Sequence, residues 1–176
     1  NGLPIVQQAI NALLCLRQRP EAILLSGTIQ ECAMKSEAVL CRADLDGSIT
    51  KWVCDGLGED TDWVGECETL GIYLGLDLIA GIVFNNTRPN IDTWLTIYSN
   101  NKRWCTRRVL KIIFGYVFKQ LKCRRCSLLV SKDNEASIKL VEGLGFIREG
   151  LLRQYRENGA DCYIYGMLKS ECKWSN

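Results

Sequence analysis

TWLTIYSNNKRWCTRRVLKIIFGYVFKQLKCRRCSLLV, residues 93–130, is the stretch of this 176-residue chain that decides its fold. Thr93 to Ser99 is dense in β-branched and aromatic residues and reads as a strand. Leu110, Ile113, Phe114, Val117, Phe118 and Leu121 then recur at helical spacing, a core-facing stripe with Arg107, Arg108, Lys111, Lys119 and Lys122 off it. Ser127 to Val130 is a second, short apolar strand. A strand, a helix of about four turns and another strand form a crossover, so the two strands lie parallel and adjacent.

The flanks extend the same sheet. Leu70–Leu74 and Leu78–Phe84 form a hairpin around Gly75-Leu76-Asp77, and 85–90 is turn chemistry, so Thr93–Ser99 is the third of three antiparallel strands. Downstream, Asp133 or Asn134 caps a second helix that buries Ile138, Val141 and Leu144 and stops at Gly145. Residues 147–156 and 160–169 form a last hairpin around Glu157-Asn158-Gly159, where Asn-Gly suits a tight primed turn. The predicted class is α/β, a mixed α+β sheet in the order β-β-β-α-β-α-β-β over 59–176. Residues 1–58 are an N-terminal extension that completes this fold or docks a partner. It holds a helix over Pro4–Arg19, with Ile5, Ala9, Ala12, Leu13 and Leu16 on one side, and a hairpin over 38–53 around Asp46-Gly47.

Composition excludes whole chemistries. With no histidine, Ser-His-Asp and Cys-His catalysis, HExxH proteases and Cys/His zinc fingers are out, and any base is a carboxylate, a water, or a shifted Cys, Lys or Tyr. The ten cysteines are scattered through apolar segments as small hydrophobes are, and are expected to stay reduced in a cytosol. Cys123 and Cys126 form one CxxC, half of what zinc wants, so no metal is expected. No apolar run approaches the ~18 residues of a membrane span. Opening on Asn1 rather than Met, the chain reads as trimmed from a longer product.

The net charge of +2 hides a division. Lys102, Arg103, Arg107, Arg108, Lys111, Lys119, Lys122, Arg124 and Arg125 stand together without one carboxylate, while the rest of the chain is acidic. The densest cations sit within one turn of a strand–helix junction, where unpaired N–H groups and the helix dipole already favour an anion. That favours a small polyphosphate ligand over a nucleic acid, which is not expected as a partner.

The run Asn134-Glu135-Ala136-Ser137-Ile138-Lys139-Leu140-Val141-Glu142-Gly143-Leu144-Gly145-Phe146, followed by Arg148-Glu149-Gly150-Leu151-Leu152-Arg153, resembles the C-terminal half of GNAT-superfamily acetyltransferases. With the ending Tyr165-Gly166-Met167-Leu168-Lys169, the step Trp104–Arg108 and the pattern Ile113–Phe118, it looks most like the GNAT proteins that bacteriophages encode. The resemblance covers about residues 62–174. It implies the GNAT acyl-CoA N-acyltransferase fold, with acetyl-CoA as co-substrate and an amine-bearing protein or small molecule as acceptor, in a host cytoplasm. The pantetheine arm is expected along Ile97, Tyr98 and Ser99. The pyrophosphate is expected at Arg103, Trp104, Thr106, Arg107 and Arg108, with Asn134 touching the arm. Where the family's phosphate loop carries glycines this chain has Cys105 and Arg107, so arginine side chains must carry more of the binding.

The acid/base groups follow less directly. Many relatives place a Tyr acid where this chain has Val141; Ser137, one turn earlier, is the candidate here, as in the ribosomal-protein type. Asp92 and Glu149 are the candidate bases, with water the alternative. Tyr155, Tyr163 and Tyr165 recur at period two and read as a sheet face, and Trp94 and Trp104 as core or lid. Two other functions compete with acetyl transfer. One is a non-catalytic GNAT-fold protein, associating with a virion or with its own copies; the other is DNA modification.

Overall fold

The computed structural model describes residues 39–44 and 46–174. Seven strands make one sheet: β1 (Val39–Ala43), β2 (Cys67–Leu74), β3 (Asp77–Arg88), β4 (Asp92–Ser99), β5 (Arg125–Ser131), β6 (Ile147–Leu152) and β7 (Cys162–Leu168). They lie in the order β1-β2-β3-β4-β5-β7-β6. Among the described residues only β4 and β5 are parallel, as the crossover between them requires. The helices are α1 (Ser48–Leu57), α2 (Arg107–Gly115) and α3 (Glu135–Leu144). Past Gly115, α2 widens into a π-helical turn over Tyr116–Gln120, where Leu121 N–H reaches back to Tyr116 O at 2.9 Å. The mixed-sheet class expected from the pattern is the one observed.

Strand alternation divides the apolar side chains between two faces. Ile72, Ile82, Phe84 and Leu95 pack with Ile113, Phe114 and Val117 of α2 and Val141 and Leu144 of α3 in the main core. On the opposite face Val83 meets Val53 and Cys54 of α1 and Val64 beyond it. Glycine lets α1 sit this low: Gly71 and Gly81 pair across β2 and β3. A Cβ on Gly81 would stand 2.3 Å from Val53 Cγ2, and one on Gly71 2.7 Å from Ile49 Cδ1.

Two predicted connections hold. Leu74 pairs with Asp77 across the two-residue turn, with Gly75 at φ 63°. Asn134 caps α3 by accepting from Ser137 N–H at 3.0 Å, and Gly145 closes it at φ 107°.

Three others are corrected. The hairpin over 38–53 is β1 followed by α1: Asp46 Oδ1 takes the Ser48 N–H and Asp44 Oδ2 takes the Thr50 N–H, so both carboxylates start a helix instead of closing a turn. The turn over 85–90 is mostly strand, because β3 runs to Arg88 through an irregularity at Asn86, φ 47°, and the chain reverses at Pro89–Ile91. The last hairpin is joined by residues 153–161, not by a tight Asn-Gly turn; Gly159 alone of the Asn-Gly pair has positive φ, and Asn158 Oδ1 caps Ala160 N–H. The helix over Pro4–Arg19 lies outside the described residues.

Gly56 of α1 faces the Tyr98 ring, where a Cβ would come within 2.2 Å of Cε1. That ring is held edge-on to Trp52 at 4.9 Å, so it has little room to retreat. Gly56→Ala should therefore lower stability by about 1–2 kcal/mol, although Ala gains ~1 kcal/mol in a free helix. In a Tyr98→Ala background the same change should be stabilising. Denaturant titration of the four proteins checks both signs; a stabilised Gly56→Ala single variant contradicts the contact.

Candidate active site

β4 and β5 share one ladder position, Trp94 opposite Ser127, and then part. Beyond it β4 stays on β3 as far as Ser99, and β5 stays on β7 as far as Ser131. The facing edges, 95–99 and 128–131, therefore have N–H and C=O groups with no partner strand among the described residues. Both strands run toward the same end of this gap, and α2 and α3 each begin just past their carboxyl ends. Two helix N-termini, each the positive end of a dipole, thus stand at the gap's mouth.

At the first of them, Thr106 caps α2: its Oγ1 accepts from Val109 N–H at 3.3 Å and its carbonyl from Leu110 N–H at 3.0 Å. The N–H groups of Arg107 and Arg108 are left as the first turn's unpaired donors among the described residues. Both side chains are exposed, and neither meets a described carboxylate. Arg103 stands exposed in a short 3₁₀ turn that Asn101 Oδ1 caps at 3.0 Å. Trp104, in the same turn, is 2% exposed, so its indole serves the core. Ile97 leans on the main core, Tyr98 turns to α1, and Ser99 ends the strand half-buried. At α3, the Asn134 carbonyl oxygen is engaged by the Ser137 N–H, and the half-buried Ser137 lies one turn before buried Val141.

The two candidate bases lie elsewhere. Asp92 opens β4, five residues and about 17 Å before Ile97. It is 4% exposed and accepts from Ser127 Oγ with both oxygens, at 3.0 and 2.8 Å. Arg125 Nε donates to that same hydroxyl at 2.9 Å, while its other nitrogens grip Glu149 at 3.2 and 2.8 Å. Asp92, Ser127, Arg125 and Glu149 thus form one chain around the point where β4 and β5 join. Burial pushes the Asp92 carboxyl up, against the opposing pull of Ser127 and Arg125. Gly166 makes room for the chain, since a Cβ there would lie 2.4 Å from Glu149 Oε1 and 2.7 Å from the Arg125 guanidinium. The structure brings Asp92 and Glu149 together, but apart from Ile97–Ser99 and the helix N-termini.

Two features escaped the sequence pattern. Glu59, just past α1, pairs with Arg156 in the β6–β7 connection, tying the two halves of the sheet across the gap. Asn85, opposite Trp94 on the α1 face, is 4% exposed with its Oδ1 unpaired among the described residues. Its one sequence signal was an amide ending an apolar run, read as a turn. Tyr165 is fully buried and donates to Glu142 at 2.9 Å while accepting from Arg148 Nε at 3.2 Å, whereas Tyr155 is an exposed loop residue. Cys123 and Cys126 are both buried, and burial raises both thiols, which holds them protonated. Among the described residues no helix is long and apolar enough to cross a membrane.

No protein-family model matches the chain. Over 73 residues it is 37% identical to an uncharacterized N-acetyltransferase of Bacillus licheniformis, spanning 40% of each chain. Among solved structures it is similar to a variant of the spermidine N-acetyltransferase SpeG from Vibrio cholerae, with TM-score 0.63 and 16% identity over 78% of this chain and 96% of that one. The ribosomal-protein-S5-alanine acetyltransferase of Vibrio fischeri matches at TM-score 0.53 and 21% identity, over 61% of this chain and 64% of that one. With seven strands and one parallel pair among its described residues, the chain has the fold of the GNAT N-acetyltransferases.

Proposed function

We propose that the chain is an N-acetyltransferase that moves an acetyl group from acetyl-CoA to an amine by direct transfer in a ternary complex, of the type phages encode for use in the host cytoplasm. One observation carries this: the β4–β5 gap with two helix N-termini and exposed arginines at its mouth. An acyl-CoA matches that arrangement part by part, its phosphates suiting the cationic end and its amide-bearing arm the unpaired β4 edge.

The co-substrate supplies an acyl group activated as a thioester. For its phosphates the chain offers the free N–H groups of Arg107 and Arg108 and the side chains of Arg103, Arg107 and Arg108. The β4 N–H groups facing the gap are placed to donate to the acyl oxygen. Asn134 keeps its amide NH₂ for the arm, since its oxygen caps α3. Ser137 is the hydroxyl we assign to protonate the departing sulfur. Asp92 and Glu149 we assign to holding the fork, because both are already saturated there; the amine then loses its proton to water.

The acceptor is proposed to approach on the α1 face, where the Asn85 carbonyl oxygen can take an amine N–H. Just past α1, Asp60, Asp62 and Glu66 are exposed and form no ion pair with a described cation, which favours a cationic amine. SpeG, by its name, acts on spermidine. The alternative, a non-catalytic GNAT-fold protein, is favoured by Cys105 and Arg107 in place of loop glycines and by Val141.

Release of free CoA thiol, followed with spermidine, a basic peptide and a neutral amine as acceptors, separates the two. Amine-dependent release, strongest with the cationic acceptors, is expected. If no amine raises release above the acetyl-CoA blank, acetyl transfer is excluded and the non-catalytic role stands.

A further inference from the structure

The cations of α2 extend well past the gap. Arg107, Arg108, Lys111 and Lys119 line one shallow, open groove on the helix surface, together with Gly115 and Tyr116. All of its lining comes from this one helix, so the groove lies outside the space between β4 and β5. The sequence pattern placed the densest cations at the junction; the folded helix sets Lys119, at its far end, in line with them.

Lys102, Arg103, Lys122 and Arg124 are exposed at the two ends of the same segment. Among the described residues no carboxylate pairs with Arg107, Arg108, Lys111 or Lys119. Arg107 and Lys111, and Arg108 and Lys111, are like-charge neighbours at helical spacing, an arrangement that costs helix stability unless an outside anion neutralises it. From Arg107 to Lys119 the helix rises about 18 Å. One strand of a duplex presents a phosphate every ~3.4 Å of axis, so this face spans about five of them. The phosphates of a CoA would occupy only the N-terminal end.

An acidic protein would find charge here but few anchors, because Val109, Leu110, Ile113, Phe114 and Val117 turn into the core. A phosphate backbone needs only the charge. We propose that this face of α2 binds the backbone of a nucleic-acid duplex without reading its sequence, sharing Arg107 and Arg108 with the proposed acetyl-CoA site and extending past it through Lys111 and Lys119.

The test is fluorescence anisotropy of a labelled DNA duplex of about 20 base pairs, titrated with the full chain over a range of salt. If the four groove cations each neutralise one phosphate, the slope of log affinity against log salt is about −3.6. In a Lys111→Ala/Lys119→Ala double variant it should fall to about −1.8, with affinity at low salt down about tenfold or more. A melting temperature unchanged or slightly raised by loss of the like-charge neighbours, with unchanged acetyl-CoA affinity, shows that the variant is folded and that the cleft is not what was altered. Scrambling the duplex should change nothing. Absence of duplex binding at low salt, or a slope that the double variant leaves intact, overturns the proposal. So does polyglutamate binding as tightly as the duplex, which would make the face a site for acidic protein.

Discussion

Ser127→Val should cost about 3 kcal/mol of stability at neutral pH. Ser127 is fully buried, and its hydroxyl is the donor to both oxygens of Asp92 and the acceptor of Arg125 Nε. Valine fills the volume but leaves a carboxylate buried beside an incomplete ion pair at the point where β4 and β5 join. The pH dependence follows from the direction of the shift. Burial holds Asp92 above its ordinary value, so the folded chain takes up a proton more readily than the unfolded one. Its contribution is therefore most favourable at low pH and declines as pH rises from the ordinary carboxylate value through the raised one. Removing the Ser127 donor raises Asp92 further, so the variant's deficit grows across that window and levels off above it. Toward the acid end of that window, where the folded chain's Asp92 gains its proton, the deficit should shrink toward the about 1 kcal/mol of a neutral hydrogen bond. Urea titrations at neutral pH and at the acid end of the window check this; an equal deficit at the two would mean that Asp92 does not titrate between them and would contradict the account.

Arg108→Ala should weaken acetyl-CoA about ten- to a hundredfold with almost no change in melting temperature, and Arg103→Ala should weaken it by a similar factor. A phosphate loop without glycines cannot bring as much backbone to the ligand, so guanidinium bonds of roughly 1.5–3 kcal/mol each must compensate. The α2 cap leaves the Arg108 N–H unpaired and its side chain in solvent, so removing the side chain costs the fold nothing it was using. Affinity should also fall as salt rises, because the site is open to water. Lys119→Ala, at the far end of the helix, is the control and should leave acetyl-CoA binding unchanged. Should all three substitutions act alike, the basic segment is only a general field and no phosphate site is localised at the α2 N-terminus.

The crossover from β4 through α2 to β5 was legible in the sequence because its periodicities are local and unambiguous, and the Asn134 cap and the Gly145 stop were legible for the same reason. Asp46-Gly47 was not, since an Asp-Gly pair opens a helix as well as it closes a hairpin; what decides is Thr50 reaching Asp44, with Ile49 and Val53 finding a glycine-floored seat on β2 and β3. The site divides along the same line. The cationic helix start and Ser137 are read from short segments. The chain from Asp92 to Ser127 joins residues 35 apart, and Glu59 to Arg156 residues 97 apart, with no local pattern to announce either. Nor does any residue type mark where the β4–β5 ladder stops, because the gap arises from what each strand pairs with on its other side.

The central claim, that the β4–β5 gap is an acetyl-CoA site, is tested most directly by calorimetric titration of the full chain with acetyl-CoA. A single site with Kd of about 10–100 μM, weakened by Arg108→Ala and by added salt, is the predicted result. No heat of binding at about 1 mM acetyl-CoA would contradict it.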